Sequence, residues 1–215
     1  MRMMTPNPRL LDILLPAYKP CEHFGTCRQA VWQPAKGHVP RGFLGALGEL
    51  PEVEVIMVFS EPGFPYPGQF FDERLTDREM IVAVCDHVYQ AFQSAKDLFH
   101  RNIRWFLDEL YPDKSFDEQL RYVWMTEGRL CSVEREIGGA RDPLCAHTYL
   151  GKQIARFPDA TIIAFGGTAR RYLNRLNIDF VSAYAMAPPG ANHKPARPSW
   201  EAAVDQVKSK RLRGT

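Results

Sequence analysis

Four short runs of β-branched and aromatic residues, separated by longer stretches with helical spacing, constrain this chain more than any other feature. The runs are Val53 to Phe59, Arg121 to Thr126, Thr161 to Phe165 and Asp179 to Tyr184. That order predicts parallel strands joined by crossover helices, an α/β domain. Thr76 to Ala95 is read as a helix, opened by the capping box Thr76-x-x-Glu79, with Met80, Ile81, Val84, Cys85, Val88 and Phe92 on one face. A second helix covers Leu98 to Leu110 and ends before Pro112. Asp142-Pro143 opens a third that runs to about Phe157, with Asp142 as N-cap. Gly166-Gly167 turns the third strand into a helix from Thr168 to Leu176, and a loop rich in proline and glycine, Ala187 to Pro198, precedes a final amphipathic helix from Ser199. Apart from a helix over Pro8 to Leu15, the first fifty residues read as irregular, and so long an irregular segment in a compact domain needs something to hold it.

With 215 residues and 45% hydrophobic content, the chain can bury a full core as one domain, residues 1–215, without disulfide staples. No run approaches the roughly 18 consecutive apolar residues of a membrane span, and Met1 to Leu15 lacks the order of a signal peptide. A cytoplasmic, monomeric protein is expected, in which reducing conditions make grouped cysteines metal ligands or redox groups more readily than disulfides. The net charge of +2 does not announce nucleic acid, and the basic run Lys208, Lys210, Arg211 and Arg213 reads first as a solvated helix end.

The five cysteines divide unevenly. Cys21 and Cys27 lie in the irregular N-terminal segment, Cys131 and Cys145 flank the loop after the second strand, and Cys85 sits on an apolar helix face as core. The first four are read either as one tetrahedral thiolate site that pins the N-terminal segment to the domain or as separate buried thiols.

The order of these features resembles the iron-sulfur branch of the uracil-DNA glycosylase superfamily. Cys21 and Cys27 precede Arg28, a strand ends at Phe59-Ser60-Glu61-Pro62-Gly63, Cys131 closes a second strand, Cys145 opens Cys-Ala-His-Thr-Tyr-Leu, and Ile163 to Ala169 form a strand-Gly-x-Thr-Ala turn. The resemblance covers roughly Cys21 to Val207. It implies a three-layer α/β/α fold around a four-stranded, largely parallel sheet, with the active site at the carboxyl ends of the strands. It also implies a 4Fe-4S cluster on Cys21, Cys27, Cys131 and Cys145, with zinc as the alternative, and a DNA partner carrying a damaged base. Members flip such a base from the helix and hydrolyse its N-glycosidic bond.

Carried onto this chain, the resemblance makes Glu61 the water-positioning carboxylate, in competition with a pairing to a nearby arginine. Tyr66 would stack on the base, in competition with loop anchoring, and Ser60 joins the base-binding group. Glu127 stands where the family often has an asparagine. An ionised carboxylate only accepts hydrogen bonds, so it would suit a base edge offering donors better than uracil. The last motif departs further, because Ala187 occupies the place of the family's histidine and removes a donor. His193 or Asn192 would assist the leaving group instead, and Lys194, Arg197, Gly167 and Thr168 would contact phosphate. Phe99 to Asn102 reads as helix-start chemistry, with contact to DNA second. The expected function is a DNA base-excision glycosylase. Its rivals are a catalytically weakened nucleic-acid-binding module of the same fold and a cluster protein binding a nucleotide-like small molecule.

Overall fold

The computed structural model describes residues 4–27, 30–134 and 143–214. Among them the order is α1 (Pro8–Leu14), β1 (Leu44–Gly45), β2 (Val55–Phe59), α2 (Asp77–Ser94), α3 (Leu98–Leu110), α4 (Phe116–Tyr122), β3 (Val123–Glu127), α5 (Gly151–Ile154), β4 (Thr161–Phe165), α6 (Gly167–Arg175), β5 (Val181–Ala183) and α7 (Ala196–Gly214). The strands form one α/β sheet in the order β1-β3-β2-β4-β5. β3, β2, β4 and β5 are parallel, and β1 is antiparallel to β3.

Every residue of β2 and β3 is buried, which is the environment of parallel strands covered on both faces and the reason their side chains do not alternate in polarity. The register sets Phe59 opposite Glu127, so the two strands end level and their following loops leave side by side. From β2 the chain crosses to β3 on one side, while β4 pairs on the other. The loops after these strands therefore diverge, opening the crevice that α/β sheets use for ligands.

The expected helices and strands are present with ends shifted by at most three residues, and three features differ in kind. The sheet has five strands, not four. The added β1 is two residues long and too short to show a pattern. It approaches β3 so closely that a Cβ on Gly45, at φ 110°, would lie 2.2 Å from the Val123 carbonyl oxygen. α4 was not expected, although its capping box, Ser115 with Glu118, was there to be read. The helix expected from residue 143 instead begins as a π-turn over Ala146–Leu150 before becoming α5. Asp142, its expected N-cap, and Arg28 lie outside the described residues.

α5 is tied to the sheet by a buried polar knot. Gln153 Oε1 accepts from Trp124 Nε1 at 3.0 Å and from Thr126 Oγ1 at 2.8 Å, and neither Gln153 nor Thr126 is exposed. This fixes the helix that follows Cys145 against β3. Replacing Gln153 by Leu leaves two buried donors without partners, each costing about 1–3 kcal/mol. The expected result is a lowered urea midpoint with an unchanged slope.

Candidate active site and cysteine site

A cavity of about 660 Å³ opens at the carboxyl ends of β2, β3 and β4. Phe59 and Ser60 reach it from β2, Glu127 from β3 and Phe165 from β4; Ala185 to Gly190 close it after β5. Phe92 from α2 and Phe99 from α3 add to an apolar wall, and Phe59 stacks on Phe165 at 5.3 Å between ring centres.

Besides Asp97, two carboxyl groups line this space, under opposite circumstances. Glu61 meets Arg129 in a buried ion pair, 2.5 Å from Oε2 to the guanidinium, with side chains 6% and 3% exposed. The pairing is fixed by backbone: the Gly128 amide donates to the Phe59 carbonyl and the Arg129 amide to the Ser60 carbonyl, locking the loop after β3 to the end of β2. Glu127 is 5% exposed, and its Oε2 has no hydrogen-bond partner among the described residues. Burial pushes its carboxyl well above the ordinary range, the neighbouring charge of Glu61 adds to this, and Arg41 opposes it. Burial therefore favours the neutral carboxyl, which would present one donor and one acceptor. An ionised Glu127 would only accept hydrogen bonds, and its burial works against that state.

Arg41, which sequence reasoning did not single out, is 7% exposed and lines the same cavity. Its guanidinium donates to the carbonyls of Gly37, Val39 and Gly63 and, at 2.5 Å, to Ser132 Oγ. One buried cation thus holds the loop after β2 and the loop after β3 together, and desolvation lowers its pKa to about 10. Gly42 beside it, at φ 87°, leaves the space Glu127 occupies: a Cβ there would stand 2.5 Å from Glu127 Cγ. Nothing in the sequence around Pro40-Arg41-Gly42 marks this role, which arises from contacts distant in sequence.

The other expected residues fall into two groups. Ser60, Glu61, Tyr66 and Glu127 all line the cavity, as does Ala187. Tyr66 stands at the rim, 44% exposed, with its hydroxyl donating to Asp97. Asn192 and His193 are not among the lining residues: the turn Gly190–Asn192 carries both into solvent, and His193 lies beside Tyr184 at 6.0 Å between ring centres. Arg197 stacks over Trp105, 3.3 Å from the ring centre, and pairs with Glu201. Lys194 and Gly167 are exposed, and Thr168 accepts from Arg171, all outside the cavity lining. Sequence reasoning undervalued His100, which lines the cavity on the first turn of α3. The visible signal was Asp97 three residues earlier, a spacing that brings carboxylate and imidazole together at a helix start.

Behind the loop after β3, Cys21, Cys27, Cys131 and Cys145 line one smaller cavity with Ala17, Phe24, Leu130, Leu144 and Arg129. The five cysteines carry reduced thiols. Burial drives the Cys131 thiol far up, and the neighbouring Cys145, Cys27 and Cys21 add to it. Burial pushes Cys145 up to about 12, against the Leu130 amide, which donates to its sulfur at 3.4 Å. Tyr149 hydrogen-bonds Cys21. Among the described residues, no three His, Cys, Asp or Glu side chains form a ready-made group for a metal ion. The donor chemistry nevertheless suits a thiolate-bound metal or cluster: four thiols around one cavity, an amide N–H on sulfur, a nearby guanidinium and apolar walls. Cys85 is fully buried on α2, as core.

The sequence matches no protein-family model, and no curated protein is significantly similar to it.

The state of Glu127 has a measurable consequence. Its folded pKa lies above the unfolded value, so the folded state holds the proton longer and stability falls as pH rises past the unfolded pKa, at up to roughly 1.4 kcal/mol per pH unit. Glu127→Gln removes this loss. Urea denaturation at pH 4 and pH 8 is expected to show the variant gaining on the wild type at the higher pH, and equal differences at both would refute a neutral Glu127.

Proposed function

We propose that the chain is a base-excision N-glycosylase of the uracil-DNA glycosylase type, with a three-layer α/β/α fold, acting on a flipped base in DNA. The observation that carries this reading is the pair of unlike carboxyls in one apolar cavity at the crossover of the sheet: Glu61 against a guanidinium, Glu127 buried without a partner for Oε2. Hydrolysis of an N-glycosidic bond needs an anion beside the cationic sugar and a donor for the departing base.

In this reading the base enters the cavity and Glu127 meets its edge. A neutral carboxyl presents O–H and C=O together, which complements an adjacent carbonyl and ring N–H as found in uracil, hypoxanthine and xanthine. As the bond to the sugar breaks, its electron pair passes to the base nitrogen, and the Glu127 hydroxyl stabilises the charge that reaches the conjugated oxygen. This donation replaces the one lost at Ala187. Glu61 faces the cation that develops on the sugar, its orientation set by Arg129. Tyr66 at the rim offers a ring for stacking, worth about 1–3 kcal/mol per base. Cys21, Cys27, Cys131 and Cys145 would hold a 4Fe-4S cluster, with zinc as the alternative, and the bound group would serve as a clamp on the N-terminal segment.

The test is a panel of oligonucleotides carrying uracil, hypoxanthine, xanthine or alkylated bases, with alkali to cleave abasic product. Product is expected on at least one deaminated base. Glu61→Ala is expected to cost about 10²- to 10⁴-fold, and Glu127→Ala about 10²- to 10³-fold, with Glu127→Gln milder because an amide keeps a donor and an acceptor. Salt-dependent binding with no product on any base would replace this reading with that of a binding module, which Ala187 favours.

Protein prepared anaerobically is expected to contain iron and acid-labile sulfide, both lost in a Cys131→Ala, Cys145→Ala double variant. Zinc without sulfide would assign the site to a single ion.

A further inference from the structure

We propose that His100, held by Asp97, is the general base that takes the proton from the attacking water; the assignment rests on the glycosylase reading above. Asp97 is the N-cap of α3 and accepts from the His100 amide at 3.0 Å through Oδ1. Its second oxygen, Oδ2, meets His100 Nδ1 at 2.7 Å and also accepts from the Tyr66 hydroxyl. Although partial burial pushes the Asp97 carboxyl up, hydrogen bonds from Tyr66 and from the His100 amide and ring hold it below the ordinary range, so it stays an acceptor. With Nδ1 donating to that carboxylate, the neutral ring presents Nε2 as a lone pair, the tautomer a general base requires.

The ring is also fixed sterically. Phe92 packs edge-on at 4.5 Å and Phe99 at 5.2 Å between ring centres, and the imidazole is 12% exposed while lining the cavity. Neither of the other two carboxyls that line the cavity is well suited to this proton. Burial favours the protonated form of Glu127, and Glu61 is engaged by Arg129, which weakens it as an acceptor. In the step itself, the water oxygen bonds to the sugar carbon, the N-glycosidic bond breaks with its electron pair going to the base, and the water's proton passes to Nε2. The imidazolium that results is stabilised by Asp97.

The charged and titratable groups facing His100 are Asp97 on its own turn, Tyr66 from the loop after β2 and His87 from α2; Arg41 acts on the last two. The experiment compares wild type, His100→Ala and Asp97→Asn on the base that the wild type excises, with and without added imidazole. His100→Ala is expected to lower kcat about 10²- to 10⁴-fold with KM unchanged, and free imidazole to restore part of it. Asp97→Asn keeps the helix cap, because asparagine caps as well as aspartate, so a comparable fall in kcat there marks loss of the carboxylate and not of the helix. A wild type active on a damaged base, with His100→Ala within about threefold of it or depressed beyond rescue by imidazole, overturns this assignment and leaves the glycosylase reading standing. A wild type inactive on every base overturns both.

Discussion

The buried ion pair of Glu61 with Arg129 is the interaction on which both sites depend. Arg129 is 2% exposed and lines the cysteine cavity, whereas Glu61 lines the large one, so a single pair of charges spans the wall between them. Removing one partner of such a pair leaves an uncompensated buried charge, at a cost of about 3–5 kcal/mol. The loop after β3 must therefore lie where Arg129 reaches Glu61. Cys131, two residues on, is then delivered to Cys21, Cys27 and Cys145, while Glu127, two residues back, is left at the end of β3 inside the large cavity. Arg41 makes the same junction from the other side, tying Gly63 to Ser132. The N-terminal segment is held by these contacts and by backbone hydrogen bonds from Val31 to Ser132 and from Arg41 to Leu130, which answers how so long a stretch with little regular structure stays packed.

Placement of the large cavity follows from topology before any side chain is considered. β2 is parallel to both neighbours, and the chain leaves it to one side and returns on the other, so the loops at the carboxyl ends of β2, β3 and β4 diverge around a gap. The walls of that gap are aromatic. An apolar lining has opposite effects on its two kinds of guest: it favours the face of a planar ring and penalises a charge without a partner. Glu61 has such a partner in Arg129. Among the described residues Glu127 Oε2 has none, and burial favours the protonated carboxyl instead.

Much of this was legible in the residue order. β4 was read to the residue, and α2 and α3 to within one, because their patterns are long or bounded by caps and proline. That four cysteines share one cavity was suggested by their pairing and by an N-terminal segment in need of an anchor. β1 was not legible, since two residues carry no period, and the π-turn after Cys145 reads as ordinary helix. Within the site, the strand-end residues Ser60, Glu61 and Glu127 were legible because strand ends locate themselves. Arg41 and the burial of Glu127 were not, because both depend on side chains brought together from separate parts of the chain. Asn192 and His193 were misplaced for a related reason: the direction of a turn after a proline-rich loop depends on what it packs against, here Ala185 beside Gly190.

Ala187 bears on the strongest objection to an enzymatic reading, since a cavity without a donor at that loop would bind a base and leave it attached. The rest of the lining weakens the objection. Titratable groups of different character share the space, among them a carboxylate paired with a guanidinium, a carboxyl whose neutral form burial favours, and an imidazole whose Nδ1 meets an aspartate. A pocket that only recognises a base has no use for that division, because recognition is served as well by amides, which carry donor and acceptor without desolvation cost tied to ionisation. Separated protonation states matter where protons move, one group supplying a donor while another accepts. In the proposed glycosylase, the donor's role falls, in place of the loop after β5, to the end of β3, where Glu127 stands opposite Phe59 in the register that aligns the two strands.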